Sequence, residues 1–103
     1  MRDVTREILI DARELVARGW TQGASARNAA GEICGVLSPQ ATQFCASGAC
    51  FKVAFDRDFD ATEAAGAVVE LGRRGRSVFS WQDRPGRTQE EVLTRFDETL
   101  EAS

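Results

Sequence analysis

The chain has 103 residues, a formal net charge of −3, and neither histidine nor tyrosine. Because histidine is the usual general base near neutral pH and the commonest metal ligand, its absence excludes the histidine-dependent hydrolytic triads and the common zinc sites. The length and the 43% apolar content favour one globular domain over residues 1–103. No apolar run approaches the roughly 20 residues that span a bilayer.

Charge enters at Arg2 and Asp3, too early for a secretory signal, so we expect a cytoplasmic protein. The three cysteines, Cys34, Cys45 and Cys50, are odd in number and lack CxxC spacing. They predict neither a disulfide framework nor a structural metal knuckle, and we expect no cofactor.

The first part of the chain combines one helix with turn-rich sequence. Apolar residues recur at helical spacing behind Asp3 and stop before Gly19, which predicts an amphipathic helix over residues 4–18. Glycines interrupt residues 20–37, and Asn28-Ala29-Ala30-Gly31 has turn composition. We predict a short β-hairpin there, with residues 22–27 against residues 32–37.

The middle of the chain predicts a central helix. Ser38-Pro39 is typical of a helix start, because a serine N-cap is followed by the proline favoured at the first helical position. The helix would run over residues 38–55, and its small residues would let other helices come close: Ala41, Cys45, Gly48 and Ala49.

Capping boxes predict the last two helices. Asp60 with Glu63 opens one that ends at Gly72 or Gly75, and Thr88 with Glu91 opens the other. Residues 77–82 fit either a short strand or one helical turn. The sequence therefore predicts a mainly helical α+β fold, with about four helices around the central small-residue helix and a small β-hairpin between the first and second helices.

Several short motifs, taken in order, resemble a family of short bacterial and phage proteins of unknown function. They are Trp20-Thr21-Gln22, the turn at Asn28-Ala29-Ala30-Gly31, Phe44-Cys45-Ala46-Ser47-Gly48-Ala49, Trp81-Gln82-Asp83 and Thr88-Gln89-Glu90-Glu91-Val92-Leu93. In that family an asparagine stands where this chain has Gln82. The resemblance implies a complete small protein of the kind carried by phages and mobile elements, and it implies no activity.

Cys45 is the candidate nucleophile, with Gln22 as its oxyanion donor, because papain-like chemistry uses a glutamine that precedes the cysteine in the chain. That chemistry needs a base to form the thiolate, and the chain has no histidine. Flanked by Phe44 and Ala46, Cys45 fits better as a small buried hydrophobic residue, so we predict that it is structural.

Asp56, Asp58 and Asp60 alternate like the first ligands of a calcium loop. The glycine and the final glutamate of such a loop are missing, since Ala61 and Ala67 occupy those positions. A solvated linker, whose last aspartate caps the next helix, is the favoured interpretation.

Residues 73–87 form the basic stretch of an otherwise acidic chain. Its candidate binding residues are Arg73, Arg74, Arg76, Trp81, Arg84 and Arg87. Arginines interleaved with aromatic residues suit an acidic protein surface or a phosphate backbone. The acidic residues at the start of the last helix can also pair with these arginines, which favours a solvated or self-paired surface.

Trp20 and Trp81 both stand at element junctions beside polar residues. For each tryptophan we expect packing in the core, with the indole N–H bound by a neighbouring carbonyl or carboxylate, rather than a binding hot spot.

We therefore expect a non-catalytic interaction protein, a monomer or homodimer, which binds and modulates a larger host protein through the basic stretch or the acidic last helix. The alternatives are a small enzyme that uses Cys45 or carboxylates, and a weak nucleic-acid binder through residues 73–87.

Overall fold

The computed structural model describes residues 1–72 and 77–102. Within these residues it contains five helices, α1 (Asp3–Arg18), α2 (Ala46–Asp56), α3 (Ala61–Leu71), α4 (Val78–Gln82) and α5 (Gln89–Glu101), and three strands, β1 (Ala26–Asn28), β2 (Ile33–Cys34) and β3 (Ala41–Phe44). The predicted mainly helical α+β fold is confirmed. None of the helices in the described residues is long and apolar enough to cross a bilayer.

Helix α1 begins one residue earlier than predicted and ends before Gly19, whose N–H donates to the Leu15 carbonyl at 3.1 Å. A Cβ at Gly19 would collide with the Thr42 carbonyl oxygen of β3. Glycine is therefore required at this position because the backbone of another element lies against it.

The strands form one antiparallel sheet with the order β2-β1-β3. The predicted hairpin is confirmed in position, although β1 and β2 are shorter than predicted. The Asn28 side chain closes its turn by accepting hydrogen bonds from the Ala30 and Glu32 N–H groups at 3.0 Å each. Gly31 has a φ of 82°, a conformation that glycine adopts without strain.

The predicted helix start at Ser38 is wrong. Ser38 opens a turn, in which its carbonyl accepts from the Ala41 N–H at 3.1 Å and its hydroxyl accepts from the Gln40 N–H at 3.2 Å. Residues 41–44 then pair with β1 as a strand. Helix α2 begins after Cys45, which is its N-cap and accepts from the Gly48 N–H through its sulfur at 3.2 Å. Cys45 therefore lies at the start of the helix and not near its middle.

The predicted starts of the last two long helices are confirmed, since α3 and α5 each begin with the expected reciprocal capping box. The N–H donated by Thr88 lowers the pKa of the Glu91 carboxyl below its ordinary value. Gly72 caps the end of α3. Residues 77–82 are resolved in favour of a helical turn, because α4 begins after Ser77.

The core lies between the helices. Helix α2 contacts α1, α3 and α4, and α1 contacts α2, α3 and α5, so α1 and α2 share the centre of the fold that the sequence analysis assigned to the second helix alone. The largest fully buried apolar side chains are Phe96, Ile8, Leu9 and Leu71. The amide side chain of Gln82 is buried to the same degree, so the core contains a polar group that needs hydrogen-bond partners.

Candidate functional site

Gln82, the last residue of α4, is 2% exposed and connects three separate parts of the chain. Its Oε1 accepts from the Trp20 indole N–H and from the Ala46 backbone N–H, at 2.8 Å each. Its Nε2 donates to Asp83 Oδ1 at 2.6 Å. The start of α2, the end of α1 and the end of α4 are thus joined through one amide.

The Gln22 side chain binds backbone carbonyls at the same end of α4. Its Nε2 donates to the Gln82 carbonyl at 2.8 Å and to the Arg84 carbonyl at 3.1 Å. The Gly23 N–H donates to Asp83 Oδ1 at 3.1 Å. We refer to this network as the Gln82 junction, defined by Trp20, Gln22, Ala46, Gln82 and Asp83.

The Gln82 junction explains how a helix of five residues keeps its conformation. An isolated helix of that length is unstable in water, because too few hydrogen bonds offset the cost of starting it. Among the described residues every buried side-chain nitrogen or oxygen has at least one hydrogen-bond partner, and this includes both polar atoms of the Gln82 amide. A satisfied buried network of this kind fixes one arrangement of the elements around it.

Cys45 lies beside the Gln82 junction and is buried, at 7% exposure. Its sulfur contacts the Ser47 hydroxyl at 3.3 Å in addition to accepting from the Gly48 N–H. Gln22 donates both amide hydrogens to other groups. The candidate nucleophile and its candidate oxyanion donor therefore both have structural partners. Burial raises the pKa of the Cys50 thiol far above its ordinary value, which keeps that thiol protonated.

The three aspartates of the candidate cation loop have separate structural settings. Asp56 pairs with Lys52 at 2.9 Å, and Asp60 caps α3 by accepting from the Glu63 N–H at 2.9 Å. Asp58 has a φ of 60° in the turn between the two helices. The described residues contain no group of three or more histidine, cysteine, aspartate or glutamate side chains that could hold a metal ion. The predicted cap by Asp60 is confirmed.

The structure describes one part of the basic stretch, residues 77–87. Arg73, Arg74 and Arg76 lie outside the described residues. The Arg87 guanidinium lies 4.1 Å from the Trp81 ring centroid and donates to the Trp81 carbonyl at 3.0 Å and to Glu91 at 3.1 Å. The predicted pairing with the acidic last helix is thus confirmed for Arg87.

Trp81 is also covered by Arg95, whose guanidinium lies 4.2 Å from the ring centroid and donates to the Leu71 carbonyl at 2.8 Å. Trp81 and Arg87 are therefore half-buried parts of the connection among α3, α4 and α5. Arg84 is different, because its side chain is exposed and forms no ion pair with a described residue.

The other side of α4 faces solvent. Phe79 is 55% exposed, although Val78 and Gln82 on the same helix are buried. Phe79 lies on α4, and Arg84 is an exposed residue two positions after the end of the helix. We use the name outer surface of α4 for these two exposed residues, Phe79 and Arg84.

Sequence reasoning missed the role of Gln82. The signal in the sequence was the side chain itself, since an amide between a tryptophan and an aspartate can accept and donate at the same time. The Trp20 indole N–H does find a partner, as expected for its packing role, but this partner is an amide oxygen rather than a carbonyl or carboxylate.

The fold and the Gln82 junction define a small mainly helical α+β protein whose short fourth helix is held by a closed polar network. The family model described as "Family of unknown function (DUF6197)" matches residues 1–102, so the chain belongs to that family. No curated protein and no solved structure matches the chain significantly. The expected membership of a family of unknown function is confirmed, while the ordered motif pattern and the bacterial or phage origin stay predictions.

Three of the motifs quoted from the sequence, those that contain Trp20, Phe44 and Trp81, meet at the Gln82 junction. Trp20 pairs with Phe44 in a parallel bridge next to the Gln82 junction, and Cys45 and Gly48 form the start of α2. A Cβ at Gly48 would collide with the Ser25 carbonyl oxygen. Each of these residues thus has a packing or hydrogen-bonding reason for its identity.

Proposed function

We propose that this protein is a non-catalytic interaction protein of the cytoplasm that binds and modulates a larger protein of its host. Its origin in a phage or another mobile element is part of the proposal. The contact is the outer surface of α4 together with Arg73, Arg74 and Arg76 of the same basic stretch. The partner presents an acidic surface with an apolar pocket for Phe79.

One observation carries the proposal. The Gln82 junction fixes a five-residue helix whose exposed residues are Ser80 and Phe79, and Phe79 is 55% exposed. Large aromatic side chains on a rigid support are efficient binding anchors, because little conformational freedom is lost when they enter a pocket.

The charge around Phe79 indicates the chemistry of the partner. Four arginines of the stretch remain after Arg87 is assigned to Trp81 and Glu91: Arg73, Arg74, Arg76 and Arg84. Asp83 is the acidic residue of the stretch, and the Gly23 N–H and the Gln82 amide bind its carboxylate. An acidic partner surface would be attracted during the encounter and paired with arginine forks in the complex.

The setting of Cys45 supports binding over catalysis. A reactive cysteine is accessible and close to a cation or base that stabilises its thiolate. Cys45 is buried, and its sulfur contacts the Gly48 N–H and the Ser47 hydroxyl. These contacts suit a helix cap.

The test compares capture of host proteins by the wild-type chain and by two variants, Phe79→Ser and Arg84→Glu. Each has a matched control that makes the same change elsewhere. Ile33→Ser removes another exposed apolar side chain, and Arg18→Glu reverses another exposed arginine. Captured proteins are identified and quantified by mass spectrometry, after thermal melts confirm that all chains are folded.

The proposal expects a host protein that the wild-type chain and both controls capture, and that Phe79→Ser and Arg84→Glu lose by roughly tenfold or more. Equal capture by all five chains would exclude the outer surface of α4 as the contact. The exposed acidic residues of α5 would then be the next surface to test.

A further inference from the structure

We propose that the groove beside the start of α1 binds a small monocarboxylate, with its carboxylate at the α1 end and its apolar body along α3. Residues of both helices line this groove, which has a volume of about 520 Å³. Volumes of this size are common among small-ligand sites. The proposal is independent of the outer surface of α4 and of the function proposed for it.

Thr5 provides the first observation. It is 8% exposed and lines the groove. Its hydroxyl forms no hydrogen bond with a described residue, whereas the similarly buried Thr99 hydroxyl donates to the Arg95 carbonyl at 2.8 Å. Every fully buried side-chain oxygen of the described residues has a partner, so the unpaired Thr5 oxygen must reach the open space of the groove. Because buried polar groups are normally hydrogen-bonded, this hydroxyl indicates a ligand atom in the groove.

The start of α1 provides the second observation. Helices α2 to α5 each begin with a side chain that accepts an N–H of the first turn, but α1 begins at Arg2 without such a bond. The Arg6 N–H donates to the Arg2 carbonyl at 3.1 Å. The N–H groups of residues 3–5 are left without an acceptor among the described residues. Free N–H groups at the positive end of a helix dipole favour an anion.

The charges of the groove restrict this anion to a single negative charge. The exposed Arg2 lines the groove beside Thr5 and supplies a guanidinium that can pair with a carboxylate. Glu63 and Glu70 also line the groove. The Glu63 carboxylate accepts from the Asp60 N–H at 3.1 Å, and Glu70 has an interaction within the chain. A dianion such as phosphate would be repelled by these two carboxylates more strongly than a monocarboxylate.

The other lining residues indicate the body of the ligand. Met1, Gly66 and Val69 are apolar, and Val69 is 68% exposed. Gly66 leaves room for a ligand, since a Cβ built there would have no heavy atom within 4 Å from the described residues outside its own helical backbone. A short hydrocarbon chain that covers these residues would bury apolar surface. Hexanoate combines such a chain with one carboxylate and serves as the probe.

A hexanoate titration of the full chain, followed by proton–nitrogen correlation NMR near neutral pH and at constant ionic strength, tests the proposal. Binding should saturate with a Kd of about 1 mM. The largest signal shifts should lie at residues 3–5, 66 and 69. Hexanol, which lacks the charge, and inorganic phosphate should each bind at least about tenfold more weakly. The absence of saturable shifts up to about 20 mM hexanoate, or largest shifts elsewhere in the chain, overturns the proposal.

Thr5→Val separates ligand binding from stability. It should weaken hexanoate binding about fivefold or more, because it removes one hydrogen bond to the ligand. It should melt no lower than the wild type, because its hydroxyl has no described partner to lose. Thr99→Val is the matched control with opposite expectations. It removes a bonded hydroxyl and should melt lower, yet bind hexanoate like the wild type.

Arg2→Gln tests the charge of the site and should weaken hexanoate binding at least about threefold. Arg18→Gln makes the same change at the other end of α1 and should leave the affinity unchanged. A Thr5→Val or Arg2→Gln chain that binds hexanoate as tightly as the wild type overturns the proposal, as does equal weakening by Thr5→Val and Thr99→Val.

Discussion

The two sides of α4 differ in burial and in their contacts with the rest of the protein. On the inner side, Gln82 is buried, and its oxygen and nitrogen bind Trp20, Ala46 and Asp83. On the outer side, Phe79 is largely exposed. Different residues of one short helix therefore provide stability and the proposed binding, so a mutation can change one property without the other.

The largest expected effect comes from Gly48, which positions the start of α2. The Ala46 N–H at this start donates a hydrogen bond to Gln82 Oε1. Gly48→Ala places a Cβ against the Ser25 carbonyl oxygen, and this oxygen also accepts from the Cys45 N–H at 3.1 Å. We expect a loss of about 3 kcal/mol in the free energy of unfolding, measured by urea denaturation.

Gly66→Ala is the matched control for that experiment, since a Cβ at Gly66 would have no heavy atom within 4 Å from the described residues outside its own helical backbone. It should stabilise the chain by about 0.5 to 1 kcal/mol. Equal unfolding free energies for the two variants would show that the close approach between Gly48 and Ser25 does not constrain the fold.

Gln82→Leu removes the hydrogen bonds on the inner side of α4. It leaves the Trp20 indole N–H and the Ala46 N–H without their buried acceptor. The expected loss is about 2 to 3 kcal/mol in the free energy of unfolding, because each of the two unpaired buried donors costs about 1 kcal/mol or more. Gln40→Leu makes the same substitution at an exposed glutamine and should change stability by less than about 0.5 kcal/mol.

If the Gln82→Leu variant unfolds at the same urea concentration as the wild type, the Gln82 junction contributes nothing to the stability of the fold, and other contacts must hold α4 in place.

A smaller effect is expected from Thr88, which begins the helix after α4. Thr88→Ala removes the hydroxyl that accepts from the Glu91 N–H at 3.2 Å. The expected loss is about 1 kcal/mol, as for other N-cap threonines. Thr94→Ala, at an exposed position inside α5, is the control and should not destabilise the chain. A Thr88→Ala chain as stable as the Thr94→Ala chain would contradict the capping role.

The elements predicted well from the sequence are those with local causes. The caps at Asp60 and Thr88 and the end of α1 at Gly19 depend on residues within four positions of each other, and all three are confirmed. The same kind of local signal failed at Ser38. There the serine side chain closes a turn, and residues 41–44 form long-range hydrogen bonds with β1 that no local pattern reveals.

The Gln82 junction could not be predicted for the same physical reason. Gln82 is 62 positions from Trp20 and 36 positions from Ala46 in the chain. The sequence did indicate that the tryptophans are packed and that the arginines are partly self-paired, and the contacts of Trp20, Trp81 and Arg87 agree with this. It could not indicate that Trp81 and Arg87 bind each other while Phe79 faces solvent.

The thermal melt of Phe79→Ser, run beside Gln82→Leu, tests most directly the claim that the two sides of α4 have separate roles. The account predicts that Phe79→Ser unfolds within about 2 °C of the wild type, because an exposed side chain contributes little to stability. Gln82→Leu should unfold at least about 10 °C lower. If Phe79→Ser loses as much as Gln82→Leu, Phe79 is a structural residue, and the outer surface of α4 loses its anchor.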